Sequence, residues 1–155
     1  MKISEIDVKT YKIPLPEPVK AYAAGIMKAF DLVICKIQND DHIEGIGYIT
    51  VHENQGLAIA QIIKSSFKNI LINKDPRLIE NLWNLMWKDV HYAGRGAPAS
   101  FAIAAVDVAL WDLKGKCLKA PLWSLLGGHN TDVLCYAGNI DLNFSKEKLL
   151  SEATK

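Results

Sequence analysis

The sequence predicts an α+β domain in which a three-stranded antiparallel meander comes first and helices follow. Three observations lead there. Apolar residues alternate at period two through the segments up to Val51. From Leu57 onward they recur at helical spacing. Half of the 155 residues are hydrophobic and 23% are charged, enough apolar material to bury a core.

The first strand is carried by Ile6, Val8 and Thr10, alternating with Asp7, Lys9 and Tyr11. Pro14, Pro16 and Pro18 then remove backbone donors, which predicts a long loop from Leu15 to Gly25. Long loops in compact domains are usually functional or mobile. Phe30 to Ile37 is the second strand. Phe30, Leu32 and Ile34 point one way and Val33, Cys35 and Ile37 the other, so both faces are expected to be covered. Asn39-Asp40-Asp41-His42 is a turn signal, and Ile43 to Val51 returns as the third strand. Gly45 and Gly47 thin one face of it, a mark of close packing; Gly45-Ile46-Gly47 lacks the third glycine and helix of a nucleotide fingerprint.

The period then changes. Asn54 is placed as the N-cap of a helix through Leu57, Ala60, Ile63 and Phe67, ending near Asn69. Asp75 caps a second helix with Pro76 near its first turn; Leu78, Ile79, Leu82, Leu85 and Met86 form its apolar face, and Trp83 and Trp87 lie four apart. After a connection around Gly94-Arg95-Gly96, Pro98 opens the most apolar helix, running to about Cys117 and expected at the centre. Pro121 to Leu126 makes a short helical turn, ended by Gly127-Gly128. Asp132 to Gly138 reads as a strand through Val133 to Ala137. Ser145 then caps a helix that begins with Leu149, Leu150 and Ala153.

Several function classes drop out. No apolar run approaches the roughly 18–20 residues of a membrane span, and Met1-Lys2-Ile3-Ser4-Glu5 is not a signal peptide. A net charge of +1 with no basic block argues against nucleic acid as the main partner. Cys35, Cys117 and Cys135 are an odd, scattered set, which fits reduced thiols in a cytoplasmic protein. His42, His52, His91 and His129 have no metal-ligand spacing and read as turn or loop residues. Gly94-Arg95-Gly96 could position a guanidinium for a carboxylate or phosphate, but reads first as a helix–helix turn with an exposed or structurally paired Arg95. Asp107 and Asp112 are five apart on the apolar helix and read as structural carboxylates, in an ion pair or a cap, with Lys114 or Lys116 available as partner. No catalytic constellation emerges from spacing.

One segment says more. Ala102-Ile103-Ala104-Ala105-Val106-Asp107-Val108-Ala109-Leu110-Trp111-Asp112-Leu113-Lys114-Gly115-Lys116 continues as Pro121-Leu122 and Leu125-Leu126-Gly127-Gly128. This run resembles the signature of the mandelate racemase and muconate-lactonizing enzyme family of the enolase superfamily. Ala105, Asp107, Ala109, Leu110, Trp111, Asp112, Gly115, Lys116, Pro121 and Gly127 carry the match. The glycine-patterned strand from Asp41 to Tyr48 and the order of strands then helices agree with it.

The resemblance implies an N-terminal capping domain over residues 1–128. Residues 129–155 would be the start of a TIM-like (β/α) barrel, with its first strand and part of its first helix. The implied chemistry is abstraction of the α-proton of a small-molecule carboxylate substrate, with Mg²⁺ stabilising the enediolate and a Lys or His as base. Those ligands and bases belong to later barrel strands, and a barrel takes about 250 residues. No catalytic or metal-binding residue is therefore assigned in this chain, whose missing barrel would be its main partner; alone it is expected to be inactive.

What the resemblance leaves to the cap is two loops over the barrel mouth, Leu15–Met27 and Thr50–Gly56. They offer Lys20 and Tyr22, and His52, Glu53 and Asn54, as substrate-binding candidates; Asn139 beyond the first barrel strand is another. Acid-sugar dehydration or racemisation/epimerisation is the first expectation, in a homo-oligomer. Muconate cycloisomerase or dipeptide epimerase chemistry, or a stand-alone binding or oligomerisation module without catalysis, are the alternatives.

Overall fold

The computed structural model describes residues 1–21, 25–128, 130, 132–135 and 144–154. Three antiparallel strands form a sheet in the order β1-β2-β3: β1 is Ile3–Ala21, β2 Gly25–Asn39 and β3 Glu44–His52. Helices follow: α1 (Gly56–Ile62), a π-helical turn (Ile63–Phe67), α2 (Lys68–Leu71), α3 (Ile79–Asp89), α4 (Ala97–Leu118), α5 (Leu122–Leu125) and α6 (Lys146–Ala153).

One face of the sheet is the core face. Ile6 and Val8 of β1, Val33, Cys35 and Ile37 of β2, and Val51 of β3 are buried there. They meet Ile59, Ile63, Phe67 and Leu71 from the α1–α2 stretch, Leu82 and Met86 of α3, and Val106, Leu110 and Leu113 of α4. The opposite face is only half covered among the described residues: Phe30, Leu32 and Ile34 are partly buried, while Tyr11 and Tyr48 are exposed. The expectation of two covered faces is corrected to one.

Gly45 and Gly47 explain how α4 comes to lie centrally. A Cβ on Gly45 would overlap the Ala109 carbonyl oxygen, and one on Gly47 the Ala105 carbonyl oxygen. Glycine on the strand and alanine on the helix together let the two backbones touch. The turn between β2 and β3 is organised by the fully buried Asn39, whose Oδ1 accepts from Asp41 N–H (3.0 Å) and Ile43 N–H (2.9 Å).

Several local expectations change. The stretch from Leu15 to Gly25 is not one long loop. β1 continues to Ala21 and pairs with β2 again at Val19↔Met27, Lys20↔Ile26 and Ala21↔Gly25. The prolines interrupt the register between Pro14 and Val19 without ending the strand. β1 lies at an edge of the sheet, where a missing N–H leaves no neighbour unpaired.

Asn54 is not a helix N-cap. It has a left-handed backbone (φ 70°), and Gln55 occupies the cap position of α1 without a side-chain hydrogen bond. The first helical stretch runs to Leu71 through the π turn, past Asn69. Asp75 does not cap α3, which begins at Ile79; it accepts instead from Arg77 N–H (3.0 Å) and pairs with the Arg77 guanidinium. That guanidinium holds the Asp75 carboxyl down at about 2.

No strand forms at Asp132–Cys135: with no neighbouring strand to pair with, these residues have no regular structure, and Leu134 is fully exposed. The remaining part of that expected strand, Tyr136 to Gly138, lies outside the described residues. Ser145 caps α6 as expected, accepting from Lys148 N–H (3.2 Å).

Candidate functional site

The signature segment proves to be scaffold. Ala105 and Ala109 are the small residues under Gly47 and Gly45, and Leu110 is fully buried. Asp112 Oδ2 accepts from Ile46 N–H (2.7 Å), an outward-facing donor of edge strand β3. Lys116 pairs with Asp112 (2.7 Å) and donates to the Glu44 carbonyl (2.9 Å). This acid–base pair therefore occupies backbone groups that an edge strand would otherwise offer to another chain. Gly115 lets α5 approach, since a Cβ there would sit 3.1 Å from the Ala120 carbonyl oxygen. Pro121 precedes α5 in an extended conformation, and Gly127 follows it in the left-handed region (φ 84°).

Asp112 thus has the lysine partner expected of it, but Asp107 does not. Lys114 lies over the Trp111 ring instead (4.7 Å), and Asp107 has no hydrogen bond or ion pair among the described residues. Partial burial, with nearby Glu80 adding to it, pushes the Asp107 carboxyl up. The reason for the correction is helical geometry: Lys116 is four residues from Asp112 but nine from Asp107, more than two turns away. Of the two structural readings of Arg95, exposed or paired, the paired one holds. Its guanidinium stacks over Trp87 (4.4 Å) and donates to the Trp87 carbonyl (3.2 Å), and Trp87 stacks on Trp83 (5.1 Å).

Of the loop candidates, Lys20, His52, Glu53 and Asn54 lie toward the end of the sheet away from the Asn39 turn. Thr50 and His52 belong to β3 itself, not to a loop, because they pair with Leu32 and Phe30. Glu53 and Asn54 form the tight turn that follows. Glu53 forms an ion pair with Lys12 of β1, so the turn is tied to the strand that continues into the distal hairpin. A shallow cleft of about 370 Å³ lies here, lined by Met27, Phe30, Thr50, Val51 and His52. Lys20 is exposed further along β1, opposite Ile26. Tyr22 and Asn139 lie outside the described residues.

Two contacts were not evident from the sequence. Asp31, buried in β2, accepts from Gly56 N–H at the start of α1 (2.9 Å). The signal for it was present: Asp31 is the one charged residue on the inward parity of an otherwise apolar strand segment, with Ala29, Val33, Cys35 and Ile37. Lys148 of α6 pairs with Glu17 in the interrupted part of β1 and lies over the Phe144 ring (4.0 Å). That contact spans 131 residues and has no local signature.

Among the described residues no group of three or more His, Cys, Asp or Glu side chains is placed to hold a metal ion. The described residues therefore do not fit a magnesium site. No helix among the described residues is long and apolar enough to cross a membrane.

Comparison with known proteins agrees with the scaffold. The chain is 39% identical over 153 residues to 3,6-anhydro-alpha-L-galactonate cycloisomerase from Streptomyces coelicolor, covering 99% of this chain and 42% of that protein. It is 37% identical over 109 residues to D-mannonate dehydratase from Rhizorhabdus wittichii, covering 70% and 27% respectively. Among solved structures, a magnesium-bound racemase from Streptomyces coelicolor superposes with a TM-score of 0.94 at 39% identity, over 98% of this chain and 43% of that one. An L-talarate/galactarate dehydratase from Salmonella typhimurium, liganded with Mg and L-lyxarohydroxamate, superposes with a TM-score of 0.88 at 26% identity, over 99% and 40%. The chain thus spans less than half the length of each of these relatives. Residues 5–127 match the family described as mandelate racemase / muconate lactonizing enzyme, N-terminal domain, and the chain belongs to that family.

Proposed function

We propose that residues 1–128 are the capping domain of a magnesium-dependent enolase-superfamily enzyme, and that residues 129–155 open its barrel. The reaction class is abstraction of the α-proton of a sugar acid, leading to dehydration, racemisation or epimerisation. The observation that carries this reading is the convergence of the β1–β2 hairpin and the turn after β3 at one end of the sheet, joined by Lys12 and Glu53. A cap of this kind supplies no proton acceptor. It closes over bound substrate, excludes water and contributes side chains that discriminate among substrates.

Glu53 is engaged by Lys12, so His52 at the end of β3 and Asn54 in the turn are assigned the substrate-facing role, with Lys20 and Tyr22 from the hairpin and Asn139 from the barrel mouth. Magnesium would supply stabilisation of the enediolate, held by barrel residues and not by the described residues of this chain. The sugar acids named for the relatives favour acid-sugar chemistry over muconate or dipeptide substrates. The first of them adds a specific second reading, cycloisomerisation of an anhydro sugar acid. A cytoplasmic homo-oligomer is part of the same proposal.

The test is the coding sequence downstream of Lys155. A Lys-x-Lys strand followed by three spaced acidic strand ends is expected. The protein made from that extended frame should turn over one of galactonate, mannonate or galactarate with Mg²⁺. A downstream sequence without those strand ends would defeat the proposal.

A further inference from the structure

We propose that Asp31 is a positioning residue, which sets the conformation of the turn between β3 and α1 from inside the sheet. Asp31 is 5% exposed on the inward face of β2, between Ala29 and Val33. A carboxylate in such a row is unfavourable unless it is hydrogen-bonded. Its Oδ2 accepts from Gly56 N–H at 2.9 Å.

That donor is one of the backbone groups a helix start leaves without an intrahelical partner. The local sequence does not satisfy it, since Gln55 at the cap position makes no side-chain hydrogen bond. The capping function is therefore supplied from 25 residues earlier in the chain.

The fit around this bond is tight. A Cβ on Gly56 would lie 2.8 Å from the Asp31 Cβ and 2.9 Å from the Thr10 Cγ2. Gly56 is thus seated against β1 and β2 together, and the direction in which α1 leaves the sheet is defined by that seat. At its other end the turn is tied to β1 by Lys12 and Glu53. Between the two tethers, Gln55 N–H donates to the His52 carbonyl (3.2 Å) and Asn54 is held at φ 70°. Asparagine enters the left-handed region more readily than most residues, and the tethers on either side hold the turn that uses it. Asp31 and Glu53 are the side chains that make those tethers. Its significance for substrate choice rests on the reading of this turn as part of a substrate-facing lid.

The experiment uses the ¹⁵N-labelled 155-residue chain with Asp31→Ala and Asp31→Asn. In the alanine variant the Gly56 amide should exchange about tenfold faster, the scale of a lost hydrogen bond to a charged acceptor. The HN–Hα coupling of Asn54 should change with it, while the amides of Val33, Cys35 and Ile37 keep their protection. Asparagine keeps an acceptor at the same place and should hold the acceleration to a few-fold. An unchanged turn, or equal loosening of the turn and the β2 amides, would overturn the proposal. Should the alanine variant not fold, the asparagine variant decides alone: faster exchange confined to Gly56 supports the tether, and none overturns it.

The lid reading is tested apart, on the protein made from the extended frame with the same sugar-acid probes. His52→Ala and Asn54→Ala should raise KM more than they lower kcat. If both leave the kinetics unchanged while the Asp31 variants disturb the turn, the lid reading fails and the positioning role stands. Raised KM values with an undisturbed turn in the Asp31 variants would mean the reverse: the lid reading stands and the positioning role fails.

Discussion

Gly47 is the residue at which the chain's architecture is most sensitive to one atom. Its missing Cβ is the space in which the Ala105 carbonyl and the Ala109 amide sit. Because the obstacle is helix backbone and not a side-chain tip, nothing nearby can rotate away. Gly47→Ala should destabilise the domain by about 3 kcal/mol, the upper end of the usual cost of overpacking. Urea denaturation would register this as a fall in midpoint at unchanged slope.

Asp107 has the opposite character, a carboxyl the fold would rather have neutral. Burial raises its pKa, with Glu80 adding to the effect. An acid held protonated more tightly by the native state makes that state lose stability as pH rises through the carboxylate range. Asp107→Asn should therefore raise the denaturation midpoint at pH 7, and the gain should vanish near pH 3, where the unfolded carboxyl is also protonated. Gly45, Gly47 and the Asp112–Lys116 pair were legible because spacing alone marks them. The Asp31 tether was not, because its partner, the Gly56 amide, is a backbone group that any residue but proline would offer.

At the scale of elements, the hairpin of β1 and β2 shows where local rules run out. Three prolines between Pro14 and Pro18 argue against a strand. The strand nonetheless resumes, because β2 offers a paired template on one side and the other side is an open edge. Pairing of this kind depends on a partner distant in sequence, which local patterning does not encode. The helices were read more accurately, since their apolar stripes and Pro98 are local signals.

The end of α4 carries a feature that spacing did not mark. Lys119 adopts the left-handed cap conformation (φ 52°), a place where glycine is preferred. Its N–H donates to the Lys116 carbonyl and the next amide to that of Gly115, so the cap geometry itself is sound. Lys119→Gly should raise stability by about 1 kcal/mol, relieving the Cβ contact of the left-handed conformation. A thermal melt showing a higher midpoint would register it, and a lower one would mean that the lysine side chain has a stabilising role of its own.

For the whole molecule, the folded core and the proposed barrel opening behave as two different materials. Strands β1–β3 and helices α1–α4 share one continuous buried cluster. After Gly128 the described residues contribute nothing to it: Val133 and Leu134 are exposed, and α6 is eight residues long with Leu149 and Leu150 exposed. A helix that short is marginal in water without packing, and a surface ion pair such as Lys148–Glu17 adds little. The fold class was legible in the sequence because a core of this size writes its periodicity into every element. The candidate site was legible only as two regions of the chain. Which groups meet there depends on Lys12, Asp31, Glu53 and Gly56 coming together from two strands, a turn and a helix.

The division near Gly128 is central to the proposed function, and amide hydrogen exchange of the 155-residue chain measures it directly. The buried amides of β2 and α4 should exchange slowly and together, while the amides of residues 132–135 and 144–154 exchange at the rate of unfolded peptide. Firm protection of residues 132–135 and 144–154, comparable with that of β2, would contradict the division and favour a self-contained module.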